Sequence, residues 1–353
     1  MQLFLFMGWL FAAPLDDAEK ILGLTNPTIA LDALERAAIK GMLEHVDLET
    51  GNAGSTVMNE EEKQRYQAWN HGLRRGYGMR VRIVTGRGLL IDSVLSESPA
   101  ERAGLLKNDL IVAFADQPFT GMPPEQVLPY LEQPYEGTVA VDVLRNGELR
   151  RFQLVRGDFW IQGVSILDSQ LQVHFWSEDS ANEIEKILKN CEHKKLILDL
   201  RDNEGGMIEQ VIETLSLFLG PDIVVGYRQT SEKKEALSTS GEKAWDGELV
   251  ILINRGTKGI SEFFVQSLRE NMSVPLVGEP SAGLSSEFHI YPLSKGLYIN
   301  IADTELISAM GMTWRGGGIK PDVMVRTSMN NPSLSGRIVD LQLETALRVL
   351  GVP

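Results

Sequence analysis

The chain has 353 residues, more than one ordinary hydrophobic core accommodates, so two or three domains are expected. With 43% hydrophobic and 23% charged residues, its composition is that of a folded protein rather than a disordered or fibrous one. Its 34 Lys and Arg against 48 Asp and Glu give a formal charge of -14, which disfavours nucleic acid and anionic lipid as partners.

The N-terminal run Met1-Gln-Leu-Phe-Leu-Phe-Met-Gly-Trp-Leu-Phe-Ala-Ala-Pro14 is apolar, of signal-peptide length and too short to span a bilayer as a helix. Residues 1–13 are therefore expected to be a signal peptide, and the mature chain periplasmic or envelope-associated. A buried N-terminal helix in a cytoplasmic chain is the alternative. Residues 14–75 read as a helical region: 16–24, 31–45 and 59–73 carry apolar residues at helical spacing, with Leu31, Leu34, Ala38 and Met42 forming the clearest stripe.

Residues 76–156 change texture. Short β-type runs at 81–84, 89–94, 110–114, 138–144 and 151–155 are broken by turn signals such as Lys107-Asn108-Asp109 and Arg145-Asn146-Gly147, the pattern of a compact β-rich module. From 157 to 330, strand-like runs (196–200, 249–254, 275–278, 297–302) alternate with helical ones (182–191, 207–219, 260–271), as in an α/β core. A last amphipathic helix is expected over 338–350, within a C-terminal segment 331–353.

The only cysteine, Cys191, excludes an intrachain disulfide and any multi-cysteine metal site; in step with Ile184, Ile187 and Leu188, it reads as a core residue. The five histidines (His45, His71, His174, His193, His289) show no metal-ligand spacing, so no metal is expected. His193 reads as a cation placed at a helix end. There is no phosphate-binding loop of the Walker type, so no cofactor is expected.

The run Ser98-Pro-Ala-Glu-Arg-Ala-Gly-Leu-Leu-Lys-Asn-Asp-Leu-Ile-Val-Ala113 resembles the PDZ signature of C-terminal processing (tail-specific) serine proteases. Four further blocks follow in that family's order: Leu198-Asp-Leu-Arg-Asp-Asn-Glu-Gly-Gly206, Leu249-Val-Ile-Leu-Ile-Asn-Arg-Gly256, Val277-Gly-Glu-Pro280 and Gly316-Gly-Gly-Ile-Lys-Pro-Asp322. The resemblance covers nearly the whole chain after the leader. It implies a multi-domain α/β fold: an N-terminal helical region, a PDZ module and a crotonase-like, ClpP-related protease core. A PDZ module adds an extended peptide to a sheet edge and captures its terminal carboxylate with backbone amides. Gly76, Tyr77, Gly78 and Met79 are where that loop is expected.

The family cleaves peptides with a Ser/Lys dyad, in which a desolvated, unprotonated lysine takes the hydroxyl proton during attack. Its serine lies in a Ser-Ala-Ser-Ala-Ser-Glu type run; here Gly256-Thr-Lys-Gly-Ile-Ser-Glu262 places Gly259 at the nucleophile. Its lysine lies in a Gly-Glu-Pro-Thr-Phe-Gly-Lys-Gly run; here Gly278-Glu-Pro-Ser-Ala-Gly-Leu-Ser285 places Leu284 at the base. Phe288 stands where the family has a glutamine. Gly205 and Gly206, between strand and helix, hold the place of oxyanion-binding amides, a plain tight turn being the equal alternative.

These substitutions imply a pseudoprotease that binds polypeptide C-termini or extended segments, as a scaffold or regulator of an active protease or an envelope protein. A serine-type endopeptidase with a rearranged dyad, Lys258 with Ser261, Ser285 or Ser286, is the enzymatic alternative. Ser261 reads more simply as a helix-start residue, with Glu262 favourable in the first turn. A purely structural assembly part, with its PDZ groove filled by its own chain, is the third reading.

Overall fold

The computed structural model describes residues 18, 21–22, 24–26, 28–133, 135, 137–191, 194–326 and 340–352. The expected signal peptide, most of the helix expected over 16–24 and His193 lie outside these residues. No helix among the described residues is long and apolar enough to cross a membrane.

The chain divides into two compact units, Met1–Gln64 with Ser286–Glu305, and Arg65–Ser285 with Leu306–Pro353. In the first, the helix Leu31–Thr50 ends at Gly51, whose φ of 67° lets it close the last turn with amide bonds to Asp47 and Leu48. The strand Thr56–Asn59 then pairs antiparallel with the start of Leu297–Ser308, and Ser286–Pro292 pairs with the same long strand. The N-terminal region is thus not purely helical. Residues 286–305, assigned by sequence to the α/β core, belong with it. The signal missed was a long-range one, since four residues of strand are stabilised only by a partner more than 200 positions away.

The second unit contains the β-rich module and the α/β core. In the module the sheet order is Met79–Val84, Gly88–Val94, Leu110–Phe114, Thr138–Arg145, Glu148–Val155, all antiparallel, with Gln117–Pro118 on Leu110–Phe114. Leu89, Ile91, Ile111, Phe114, Val141, Val143 and Leu154 alternate inward to form its apolar core, closed by the short helix Pro99–Ala103. Ser98 caps that helix, its Oγ accepting from Glu101 N at 3.2 Å. Strands Leu73–Gly76 and Gly157–Trp160, entering and leaving the module, pair with each other.

The core is a six-stranded sheet in the order Val164–Leu167, Gln170–Val173, Lys195–Asp199, Glu248–Ile253, Leu276–Gly278, Val323–Met324, parallel after its first pair. Leu196 and Leu198 face the helices Ser180–Asn190, Ile208–Leu219 and Ile260–Asn271; Ile197, Val250 and Leu252 face the C-terminal helix Leu341–Val349. Burial on both faces is why these strands read as continuous apolar runs. Cys191 follows the first of these helices, partly buried against the core as its spacing suggested. Parallel strands leave their C-terminal ends as the place where successive loops converge.

Candidate functional site

Three loops leave the C-terminal ends of adjacent strands: 200–207 after Lys195–Asp199, 254–259 after Glu248–Ile253, and 279–285 after Leu276–Gly278. Gly259 ends the second loop as N-cap of the helix Ile260–Asn271, with φ 59° and ψ -119°. A side chain there lies in a sparsely populated backbone region, the strained strand-to-helix turn on which hydrolases expose a nucleophile. A Cβ built on Gly259 meets no atom within 4 Å. The position that the sequence motif aligns with the nucleophile therefore has room for a side chain and holds none.

Glu262 ties this turn to the third loop. Its carboxylate is 0% exposed and takes four hydrogen bonds. Oε2 accepts from Gly259 N at 3.0 Å and Leu284 N at 2.8 Å; Oε1 accepts from Gly283 N at 2.7 Å and Ser281 Oγ at 2.5 Å. The bond to Gly259 is one half of a capping box, whose other half cannot form because glycine offers no acceptor side chain. Burial pushes the Glu262 carboxyl above its ordinary value, while the Ser281 hydroxyl and the three amides pull it down. Gly259 and Leu284, the two positions aligned with the dyad, are thus bridged through one carboxylate. Leu284 itself exposes 42% of its surface and accepts from Trp314 Nε1 through its carbonyl at 2.8 Å.

Asn203 is the corresponding node on the first loop. Its Oδ1 accepts from Gly205 N at 2.9 Å and Ser261 Oγ at 2.8 Å, its Nδ2 donates to Val173 O, and its carbonyl accepts from Lys258 N at 3.0 Å. The Gly205 N–H is therefore engaged within the loop, which corrects its expected role as an oxyanion donor. The N–H groups of Gly206 and Ile260 make no hydrogen bond among the described residues. Gly206, at φ 135°, cannot carry a side chain, because a Cβ would fall 2.3 Å from Trp176 O.

The rearranged dyad is not assembled. Ser261 is 0% exposed, receiving Trp176 Nε1 at 2.9 Å while donating to Asn203, so it locks the helix start rather than facing substrate. Lys258 Nζ pairs with Glu204 at 3.0 Å. Ser285 is buried and its Oγ accepts from Thr313 Oγ1; Ser286 donates to Asn52 Oδ1 at 2.6 Å. No hydrogen bond between Lys258 Nζ and a serine is formed among the described residues. Phe288 lies in the strand Ser286–Pro292, its ring over Gly54, where a Cβ would stand 3.6 Å away.

In the module, Gly76 ends a strand, Tyr77 is buried with its ring edge-on to Phe114 at 5.4 Å, and Gly78 has φ 76°. A Cβ on Gly78 would lie 2.1 Å from that of Ser98, so only glycine fits. Tyr77 O and Gly78 O accept from Ala100 N and Leu95 N, while the N–H groups of Tyr77 and Gly78 are unpaired among the described residues. Met79 begins Met79–Val84, which among the described residues pairs only with Gly88–Val94 and is an edge strand. The four residues thus form a loop with two unpaired amides beside an edge strand of the described sheet.

Beyond the residues expected from sequence, the site depends on Trp176, Asn203 and the full bonding of Glu262. Their roles rest on contacts across loops, which no local spacing encodes. His174, at the end of Gln170–Val173, has its Nε2 2.9 Å from Ser165 Oγ, and burial lowers its pKa to about 4. No group of three or more His, Cys, Asp or Glu among the described residues is placed to hold a metal.

Residues 169–325 match peptidase family S41, and residues 90–145 match a PDZ domain. The carboxy-terminal processing protease CtpA of Bacillus subtilis (strain 168) is 27% identical over 304 residues, 83% of this chain and 64% of the relative. A probable CtpA-like serine protease of Staphylococcus haemolyticus is 22% identical over 303 residues, 83% of this chain and 60% of that one. The chain thus spans less than two thirds of the length of these relatives. Among solved structures, a photosystem II D1 C-terminal processing protease superposes with TM-score 0.57 at 19% identity, covering 90% of this chain and 86% of its own. A putative S41 protease from Bacteroides fragilis NCTC 9343 does so with TM-score 0.64 at 14% identity, over 86% and 87%. At such identities the superpositions speak for the fold.

Proposed function

Since the chain is a PDZ-containing member of peptidase family S41, we propose that it binds polypeptide C-termini or extended segments without cleaving them. One observation carries this reading: the strained turn at the N-terminus of Ile260–Asn271 is kept, with room for a side chain, and holds glycine. A glycine cannot attack a carbonyl, and Leu284 cannot accept a proton. Family S41 membership alone would name a peptidase, but activity resides in site residues rather than in the fold.

Binding needs less. A peptide adding to the Met79–Val84 edge uses main-chain groups that any sequence supplies, and the unpaired amides beside Gly78 suit a terminal carboxylate. The Gly206 and Ile260 N–H groups at the elbow can still donate to a peptide carbonyl, so a second segment of the same chain has a place to lie. Presenting such a segment to an active protease, or scaffolding an envelope protein, follows as the biological role. The apolar stretch 1–13 supports export, which cell fractionation with N-terminal sequencing tests.

The direct test is incubation of the purified chain with labelled peptides bearing a free or an amidated C-terminus. The reading predicts saturable binding that amidation weakens, with the peptide recovered at its original mass. Fragments whose yield falls with Lys258→Ala would instead favour the enzymatic alternative.

A further inference from the structure

Alternation along the edge strand gives the module a second layer of selectivity. Met79, Val81 and Ile83 lean onto the module's apolar core, so Arg80 and Arg82 stand on the opposite face. The strand itself is regular; the register shift beside it makes Asp92 the extra residue of the neighbouring strand. Arg82 Nε lies 2.9 Å from Asp92 Oδ1, outside hydrogen-bonding alignment, and Arg80 lies 3.9 Å from Asp202 on the 200–207 loop. The arginine side chains keep 31% and 35% of their surface exposed. Each guanidinium carries five donors, more than one such pair uses, although an acidic tail residue beside Arg82 competes with Asp92.

A tail added antiparallel to this edge places its side chains on the same two faces, because directly opposed residues share a face. With the carboxylate at the Gly78 loop, the last and third-last residues fall on the side of Met79 and Val81. The penultimate and fourth-last residues fall beside Arg80 and Arg82. On this basis, which rests on the peptide-binding reading above, we propose that the module selects tails with acidic penultimate and fourth-last residues. A net charge of -14 repels acidic peptides in general, so the preference is local to these two arginines. An acidic penultimate residue also competes with Asp202 for Arg80.

The test is fluorescence polarisation with three labelled decapeptides of free C-terminus, ending Glu-Val-Glu-Val, Ser-Val-Ser-Val and Lys-Val-Lys-Val, on the full chain and on Arg80→Gln and Arg82→Gln. The expected order is acidic, then neutral, then basic, with roughly three- to fivefold between neighbours, diminished in each variant and reduced by added salt. Circular dichroism and the melting temperature, expected to hold in both variants, report on folding. Equal binding of all three tails overturns the charge preference while leaving peptide binding intact. A preference that survives both substitutions overturns the assignment to these arginines, and no binding by any free-carboxylate tail overturns both readings.

Discussion

The β-rich module and the α/β core each end a backbone element in glycine-dependent geometry, yet they depend on side chains to different degrees. At Gly78 the proposed binding loop relies on its own unpaired amides beside an edge strand, and the residues around it only have to fill space. At Gly259 the same care is taken over backbone: a strained turn, a buried carboxylate bridge to Leu284 and a locked Ser261. A Ser/Lys dyad would need one hydroxyl and one amine on this scaffold, and the positions that motif alignment assigns to them carry Gly259 and Leu284. On the proposed reading, recognition by main chain tolerates sequence change that catalysis by side chain does not.

Removing the carboxylate bridge breaks the core side of this comparison most severely. Glu262→Ala removes a buried carboxylate and leaves four donors without that acceptor, two of them buried, so a stability loss of about 3–5 kcal/mol is expected by urea denaturation. Tail binding by whatever chain remains folded should be unchanged. If binding vanished with the core still folded, the two sites would not be separable.

Acid should act next. His174 titrates at about 4 in the folded chain, below its ordinary value, because burial disfavours its charged form. Between those values the unfolded chain binds a proton that the folded chain does not. Stability is therefore full above pH ~6.5 and falls as pH drops toward ~4, by up to about 3 kcal/mol. A His174→Gln variant should lose that part of the pH dependence when melting is compared at neutral and mildly acidic pH.

Smaller effects sharpen the assignment of roles. Ser261→Ala removes the acceptor for Trp176 Nε1 and a donor to Asn203, an expected cost of about 1–3 kcal/mol in denaturation midpoint, with no change in proteolysis. Lys258→Ala breaks only a half-exposed pair with Glu204, below about 1 kcal/mol. A large stability effect there would give Lys258 a part in the site that its contacts do not.

Much of this was legible from residue order because the core strands are short, apolar and bounded by turns. The strand Leu110–Phe114 and the helix Ile260–Asn271 fall where their patterns place them. What escaped was non-local. The pairing of Thr56–Asn59 with Leu297–Asn300 leaves no local periodicity, and the membership of 286–305 in the first unit follows from it. At the site, motif alignment points to Gly259 and Leu284, but the Glu262 bridge between them needs two loops in place. At Gly205 the contact is local: its amide donates to the Asn203 side chain two residues earlier, which favours the tight-turn alternative.

The central claim is tested most directly by incubating the purified chain with unfolded casein beside the double variant Gly259→Ser, Leu284→Lys. The account predicts no cleavage by the unmodified chain. Cleavage by that chain, abolished by Lys258→Ala, would contradict it.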